Sequence, residues 1–413
     1  MRSWIKEKNL IMGRLFSKVF FLFFSVMVST TYAQVNGRLL DSVSEEPVLF
    51  AHIASQKVGF GTVSNENGEF QLPPAFSGDT LIISHIAYET LKIARSQLEA
   101  SGNIKLTASE LLLEEVVVTD VKTQEVMLRV LEFLRKSPLT YAKAFYRQVA
   151  FQDTLATEWI EAFYNTEYSS NGIERLKIDQ ARFARRKSDT AMLHMTFTNF
   201  SYLTVGNSIY APETGESMLA RPFALDFKDD FDTYLKRRYR KNNEVYLEIE
   251  FEPKANADNA IESYGVFTFN QSKGRLVQYT GNIDHGLGVS EDIEYEGDRV
   301  IAIEDPKYNY QFQFSESTGE LAYITMDFSY RFLQDGVAYP SRVSSKLVFF
   351  QQLNKDPKRL REPALELEDV SNFEKAKYKP RFWYDNPIVK RTSEEEAIIA
   401  TFEKQNAFGS YFK

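Results

Sequence analysis

The chain carries few residues able to do chemistry, and they are badly spaced for it. Only four histidines occur, His52, His85, His194 and His285. Zinc hydrolysis needs two or three protein ligands and a general base. None of the four has Glu three residues on, and no His-Glu-x-x-His occurs. Asp284-His285 sits in a glycine-rich stretch and reads as a loop. Cysteine is absent, which removes thiol catalysis, disulfides and a lipid-anchored N-terminal cysteine together. There is no Gly-x-Ser-x-Gly, so a nucleophile elbow is missing. Gly59-Phe60-Gly61 and Gly286-Leu287-Gly288 lack the third glycine and following helix of a phosphate cradle. Asn65-Glu66-Asn67-Gly68 echoes a calcium loop, but Val63 and Pro74 stand where the first and closing ligands should be. These patterns predict no metal, no cofactor and no enzyme activity. A hydrolase built on an unrecognised carboxylate pair among the 57 acidic residues is the catalytic alternative.

Two basic clusters remain. One is Arg182, Arg185, Arg186 and Lys187; the other is Lys236, Arg237, Arg238, Arg240 and Lys241. Clusters of this kind are usually solvated strand ends. The sharper reading makes Arg237, Arg238 and Arg240 a docking patch for an anionic glycolipid or acidic partner.

The elements that must position these groups start after an N-terminal export signal. Arg2, Lys6, Lys8, Arg14 and Lys18 face one acid, Glu7; an apolar run from Val19 to Val28 and small residues ending at Ala33 follow. Basic, apolar, then small is the order of a secretory signal, with cleavage expected after Ala33. The apolar run falls well short of the roughly 20 residues that span a bilayer, so no transmembrane span is expected in the mature chain. Met12 is a second candidate start. Removing residues 1–33 takes five basic residues and one acidic one, so 49 and 57 become 44 and 56, a net charge of −12. That balance excludes a nucleic-acid partner, which wants a basic face.

Residues 34–120 read as a small all-β module. Seven short apolar runs, at Arg38–Leu40, Ala51–Ile53, Phe70–Leu72, Thr80–Ile83, Leu91–Ile93, Ile104–Leu106 and Glu115–Val118, recur with turn residues between them. Asn67-Gly68, between Thr62-Val63 and Phe70, is the best hairpin turn in the chain. Gly37-x-Leu39-x-Asp41, Pro47 with Ala51, Gly61-Thr62…Asn67-Gly68-x-Phe70 and Ile82-Ile83-Ser84…Tyr88 resemble the carboxypeptidase-regulatory-like domain. The resemblance implies a seven-stranded transthyretin-like sandwich of the kind placed at the N-terminus of Gram-negative envelope proteins, an accessory without catalytic residues. It departs from the family at Ala87, where glycine is usual.

Residues 121–139 predict a connector helix with Met127, Val130, Leu131 and Leu134 on one face and Pro138 as its stop. Residues 140–413 predict a larger antiparallel β body, a curved sheet or half-barrel. Val245, Leu247, Ile249 and Phe251 alternate with polar residues, as do Tyr308, Tyr310, Phe312 and Phe314. The hairpin pattern from Tyr264 to Val277 is loosely similar to the half-barrel of periplasmic lipoprotein carriers. A membrane barrel also fits alternating strands, but a helix over 394–406 argues against it. That helix is predicted from Ser393 as N-cap, Glu396 closing a capping box and an Ala397, Ile398, Thr401, Phe402 face. The aromatic run Phe382-Trp383-Tyr384 is expected to dock it on the sheet.

The fold class expected is therefore mainly β, in two β units joined by a helix. The function expected is a non-catalytic cell-envelope protein, periplasmic or outer-membrane associated, that binds or assembles with an envelope protein or a lipid or glycan ligand. The alternative is an acyl-chain or lipoprotein carrier with an apolar β cavity. Reversing Arg237 and Arg238 to Glu tests the basic patch. If it docks, the protein leaves the membrane fraction; unchanged fractionation removes that role.

Overall fold

The computed structural model describes residues 35–408 apart from 56–60, 73–79, 95–96, 99–101, 110–111, 114–120, 187–199, 212–222, 256–262, 285–292, 296–298, 335–336, 364–368, 374–377 and 386–387. The signal segment, with Ala33, and the Glu115–Val118 run lie outside them.

The fold is mainly β. Seven strands form the N-terminal sandwich: β1 (Val35–Asp41), β2 (His52–Ser55), β3 (Gly61–Val63), β4 (Glu69–Leu72), β5 (Thr80–His85), β6 (Tyr88–Ala94) and β7 (Asn103–Leu106). One sheet runs β4-β1-β7 and the other β3-β2-β5-β6. Period-two alternation turns Phe70 and Leu72 of β4 and Leu81 and Ile83 of β5 inward. They meet Leu39, Ile53, Ile104 and Leu106 in a separate small core.

The Asn67-Gly68 turn does not close a ladder hairpin, because β3 and β4 belong to different sheets. It is a corner between the two layers. Asn65 Oδ1 accepts the Asn67 and Glu69 amides at 3.0 and 2.8 Å. Gly68 takes φ +71°, and a Cβ there would strike the Leu39 carbonyl oxygen. Ala87 keeps negative φ, so the turn before Tyr88 has no need of glycine.

The sandwich has the seven strands expected, but one of them is a segment not counted among the seven apolar runs. The seventh sandwich strand is β3; past β7, β8 (Leu112–Leu113) leaves the sandwich and pairs with the edge of the large sheet. The other strands of that sheet are β9 (Thr140–Gln152), β10 (Leu155–Ser169), β11 (Gly172–Arg185), β12 (Phe231–Lys241), β13 (Glu244–Pro253), β14 (Ser263–Asn270), β15 (Arg275–Ile283), β16 (Ile293–Tyr295), β17 (Arg299–Phe314), β18 (Leu321–Gln334) and β19 (Val337–Gln352). The order is β11-β10-β9-β19-β18-β17-β15-β14-β13-β12-β8, with β16 on β17. Short turns join consecutive neighbours, giving an antiparallel meander. After β8 the chain enters this sheet at β9, third from one edge, and walks through β10 to that edge at β11. It crosses by α2 (Phe200–Val205) and α3 (Phe227–Asp230) to the other edge, then returns to pair β19 with β9.

A sheet this wide cannot stay flat. Inward residues from nearly every strand, including Tyr164, Leu247, Phe267, Tyr310, Met326 and Leu347, share one cluster with helix α1 (Thr123–Arg135). The sheet therefore curls around that helix. The α1 stripe is the one its spacing predicts, Met127, Val130, Leu131 and Leu134, with Val126 beside it, all buried. Phe200, Val205, Phe223, Phe227 and Phe231 fill the rest of the concave side.

The convex side is covered too. There α5 (Pro380–Asp385), residues 388–392 and α6 (Ser393–Lys404) cross β9, β10 and β19, and β3 of the sandwich joins them. Helix α6 starts one residue earlier than expected. Thr392 is the N-cap, and its capping box is with Glu395: the Glu395 amide donates to Thr392 Oγ1 at 3.1 Å and the Thr392 amide to Glu395 Oε2 at 2.9 Å. The buried face is Ile399 and Phe402, while Ala397 is exposed. The rotation follows Glu395, whose carboxylate is drawn inward to Arg147 at 3.1 Å.

Sandwich and body are tied by polar contacts, some buried and some half-buried. Thr62 donates to the Ile388 carbonyl at 2.6 Å. Lys346 pairs with Glu66 at 2.6 Å, and Lys390 with Glu69 at 3.0 Å. Lys241, its side chain 1% exposed, pairs with Glu316 at 2.9 Å and donates to the His85 and Ile86 carbonyls at 3.1 and 3.2 Å. Lys241→Met strands that carboxylate and both carbonyls. It should cost about 2–4 kcal/mol in urea unfolding, with part recovered by adding Glu316→Gln; an unchanged midpoint would show that Lys241 does not hold the sandwich.

Candidate functional site

The three arginines singled out by sequence lie on β12. Arg237 is directly opposite Glu248 and pairs with it, with its guanidinium 5.2 Å from the Tyr239 ring. Lys236 reaches Glu250 at 3.4 Å. Arg238 and Arg240 are also engaged with neighbours, and Lys241 is the buried anchor already described. The structure brings the cluster together but neutralises much of it across the ladder.

The second cluster is dispersed. Arg182 is buried against Glu161, with its guanidinium 4.8 Å from both the Trp383 and Phe408 rings. Arg147 reaches the same carboxylate at 2.9 Å and donates to the Val389 carbonyl at 2.9 Å; Arg391 lies 3.7 Å away. Burial alone would push the Glu161 carboxyl up. Arg182, Arg391 and Arg147 outweigh it and hold the group well below the ordinary carboxylate range. Arg185 sits 3.7 Å from Glu158, whose carboxyl burial pushes up to about 8. Arg186 donates to the Ala156 carbonyl at 2.9 Å. Lys187 lies outside the described residues.

Two of the four imidazoles, His52 and His85, lie among the described residues. Burial pushes His52 down to about 4, and burial with the nearby Lys241 charge does the same to His85. His194 and His285 lie outside the described residues, and Asp284 accepts a hydrogen bond from Tyr264 at 2.9 Å. Among the described residues no group of three or more His, Asp or Glu could hold a metal ion. Asn65 and Asn67 are committed to the corner turn, and Glu66 to Lys346.

Three clefts are open at the surface. One of about 600 Å³ lies between the C-terminal end of α1 and the hairpin tips at Ser169 and Gly319; in it Glu132 pairs with Lys136, and Glu320 accepts from the Gln352 amide. A second, of about 270 Å³, lies between His52 of the sandwich and Phe350 of the body. The third, about 560 Å³, follows the free edge of β11. Its walls are Tyr164, Leu176, Ile178, Tyr202, Val205 and Phe373, and its rim carries Lys177, Arg359, Arg361 and Glu362. Residue 361 is locked to the sheet edge: the Leu176 amide donates to the Arg361 carbonyl at 2.7 Å and the Arg361 amide returns to Leu176 at 2.9 Å. Helix α2 is fixed by Asp369, at the start of α4 (Asp369–Phe373), which accepts from the Ser201 amide at 3.0 Å and from its hydroxyl. Burial pushes the Asp369 carboxyl up to about 6, against the two Ser201 bonds.

This third cleft has the size and apolar walls of a small-molecule site. Sequence reasoning missed it because its walls come from β10, β11, α2 and residues 359–373, each contributing one to three side chains. The only local signal was Leu176 and Ile178 alternating with charged residues on β11. The carrier alternative placed an apolar cavity in the β body; among the described residues aromatic side chains fill the concave side, and open apolar volume lies at the sheet edge.

Residues 35–118 match the model of the CarboxypepD_reg-like domain, so the N-terminal resemblance holds over that segment. No curated protein sequence matches the chain. Among solved structures, a LolA superfamily protein from Nitrosomonas europaea is 15% identical with a TM-score of 0.23, covering 57% of this chain and 96% of its own. A DUF1329 family protein from Desulfovibrio piger is 10% identical with a TM-score of 0.22, covering 60% and 94%. MucB in complex with MucA(peri) is 9% identical with a TM-score of 0.18, covering 59% and 100%. Overlaps this weak say nothing about a ligand. Among the described residues no helix is long and apolar enough to cross a membrane.

The Asp369 latch gives a pH test. A buried acid whose folded pKa is near 6, above its ordinary 3.8, stabilises fully at low pH and loses that contribution as pH rises through the interval. Asp369→Asn should therefore gain in Tm relative to the natural protein between about pH 4 and 7; a constant difference would mean that Asp369 does not titrate there.

Proposed function

We propose that this is a non-catalytic binding protein of the cell envelope, exported through its N-terminal signal to the periplasm or the inner face of the outer membrane. The edge cleft beside β11 is its ligand site, and the sandwich is a structural accessory. One observation carries the reading: a 560 Å³ apolar-walled cleft lies open on a rigid sheet edge. Two buried carboxylates are held in structural contacts, Glu161 in a guanidinium cage and Asp369 in a hydrogen-bonded latch. A carrier of apolar molecules is the form of this reading that the cleft's walls favour, and it needs no hollow sheet.

Native mass spectrometry of protein isolated from envelope extracts should show a retained ligand or partner and a mature chain beginning at residue 34. Ile178→Arg, which puts a charge in the cleft wall, should lose the retained species while keeping the β-rich circular dichroism spectrum. Bare protein from every extract would sink the binding reading.

A further inference from the structure

The rim of the β11-edge cleft carries three cations, Lys177, Arg359 and Arg361, against one acid, Glu362. None of the three cations has a hydrogen bond or ion pair from its side chain among the described residues. They contrast with Arg147, Arg182, Arg237 and Lys346 on the sheet, each of which has a carboxylate partner. They contrast also with the chain as a whole, which is acidic.

Their backbone is fixed. Lys177 follows Leu176, and Arg361 is bonded to Leu176 in both directions. Arg359, two residues earlier, holds the left-handed φ of +64°. Both arginines line the cleft on a segment bonded to the sheet edge, beside its apolar walls.

From this juxtaposition we infer that the cleft binds a single-chain amphiphile with an anionic head, its chain along Leu176, Ile178 and Phe373 and its carboxylate or phosphate head between Arg359, Arg361 and Lys177. The inference rests on the cleft being the ligand site and adds the chemistry of what enters it. A neutral apolar ligand would leave the rim cations unused. A guanidinium presents a planar fork that matches carboxylate and phosphate oxygens.

Isothermal titration calorimetry of the intact mature protein with dodecanoate, dodecyl phosphate and dodecanol tests it. Both anions should bind at least tenfold more tightly than the alcohol, and their order separates a carboxylate from a phosphate preference. Arg359→Glu with Arg361→Glu, both exposed and so without effect on folding, should cut anion affinity at least tenfold and leave dodecanol unchanged. Leu176→Gln should weaken all three. Dodecanol binding as tightly as the anions, or indifference of the anions to the double reversal, overturns the inference and leaves the cleft as a neutral apolar site. Failure of all three probes, with an envelope species still captured and lost on Ile178→Arg, overturns the amphiphile while the binding function stands.

Discussion

The carboxylate of Glu161 is buried on β10, next to the edge strand of a twelve-stranded sheet, and three guanidinium groups from different parts of the chain must stay around it. Stripping it of partners would leave a charge in a low-dielectric interior, a loss on the order of several kcal/mol. That requirement organises the convex face. Arg147 and Arg182 come from the sheet, Arg391 from the segment before α6, and Arg147 reaches on to Glu395 in that helix's capping box. One charge thus fixes the last helix in position and in rotation, and the aromatic lid of Trp383 and Phe408 closes over Arg182. The cluster is more an instrument of registry than of net stability, since apolar residues could fill the same volume at no greater cost.

Where both faces are covered, the strands lose the one-sided pattern. Most of β9 and β10 and the Ser345–Phe350 run of β19 are buried, whereas β15 largely alternates. The difference marks where the second cover ends and the outer face of the sheet meets solvent. At the β11 edge a bonded loop segment takes the place of a further strand, blunting the exposed ladder and leaving a hollow beneath.

Much of the fold was legible because its signals are local. The α1 stripe needs only a 3.6-residue period, the paired aromatic strands only a period of two, and the sandwich only apolar runs between turns. The errors lie where a distant group intervenes. Thr392 wins the N-cap from Ser393 because Glu395 must face Arg147. Asn67-Gly68 turns between layers because Leu39 of β1 receives Gly68 directly. The Arg237 cluster looked free because Glu248 and Glu250, its partners, are reached only across a strand pair. The cleft was the least legible part, since its walls are drawn from four separate segments and no pair of them is informative alone.

The pairing of β9 with β19 has a further consequence. It joins residues 140–152 to residues 337–352, so two neighbouring strands of the sheet come from segments that are far apart in synthesis. Until β19 exists, β9 and β18 each present a bare row of amides and carbonyls, the kind of surface that recruits other chains. A shortened product would therefore be sticky as well as unstable, and a nascent chain needs protection until nearly all of it has been made. Topologies closed by such distant partners also gather themselves slowly, which puts a long vulnerable interval between translation and a sealed sheet.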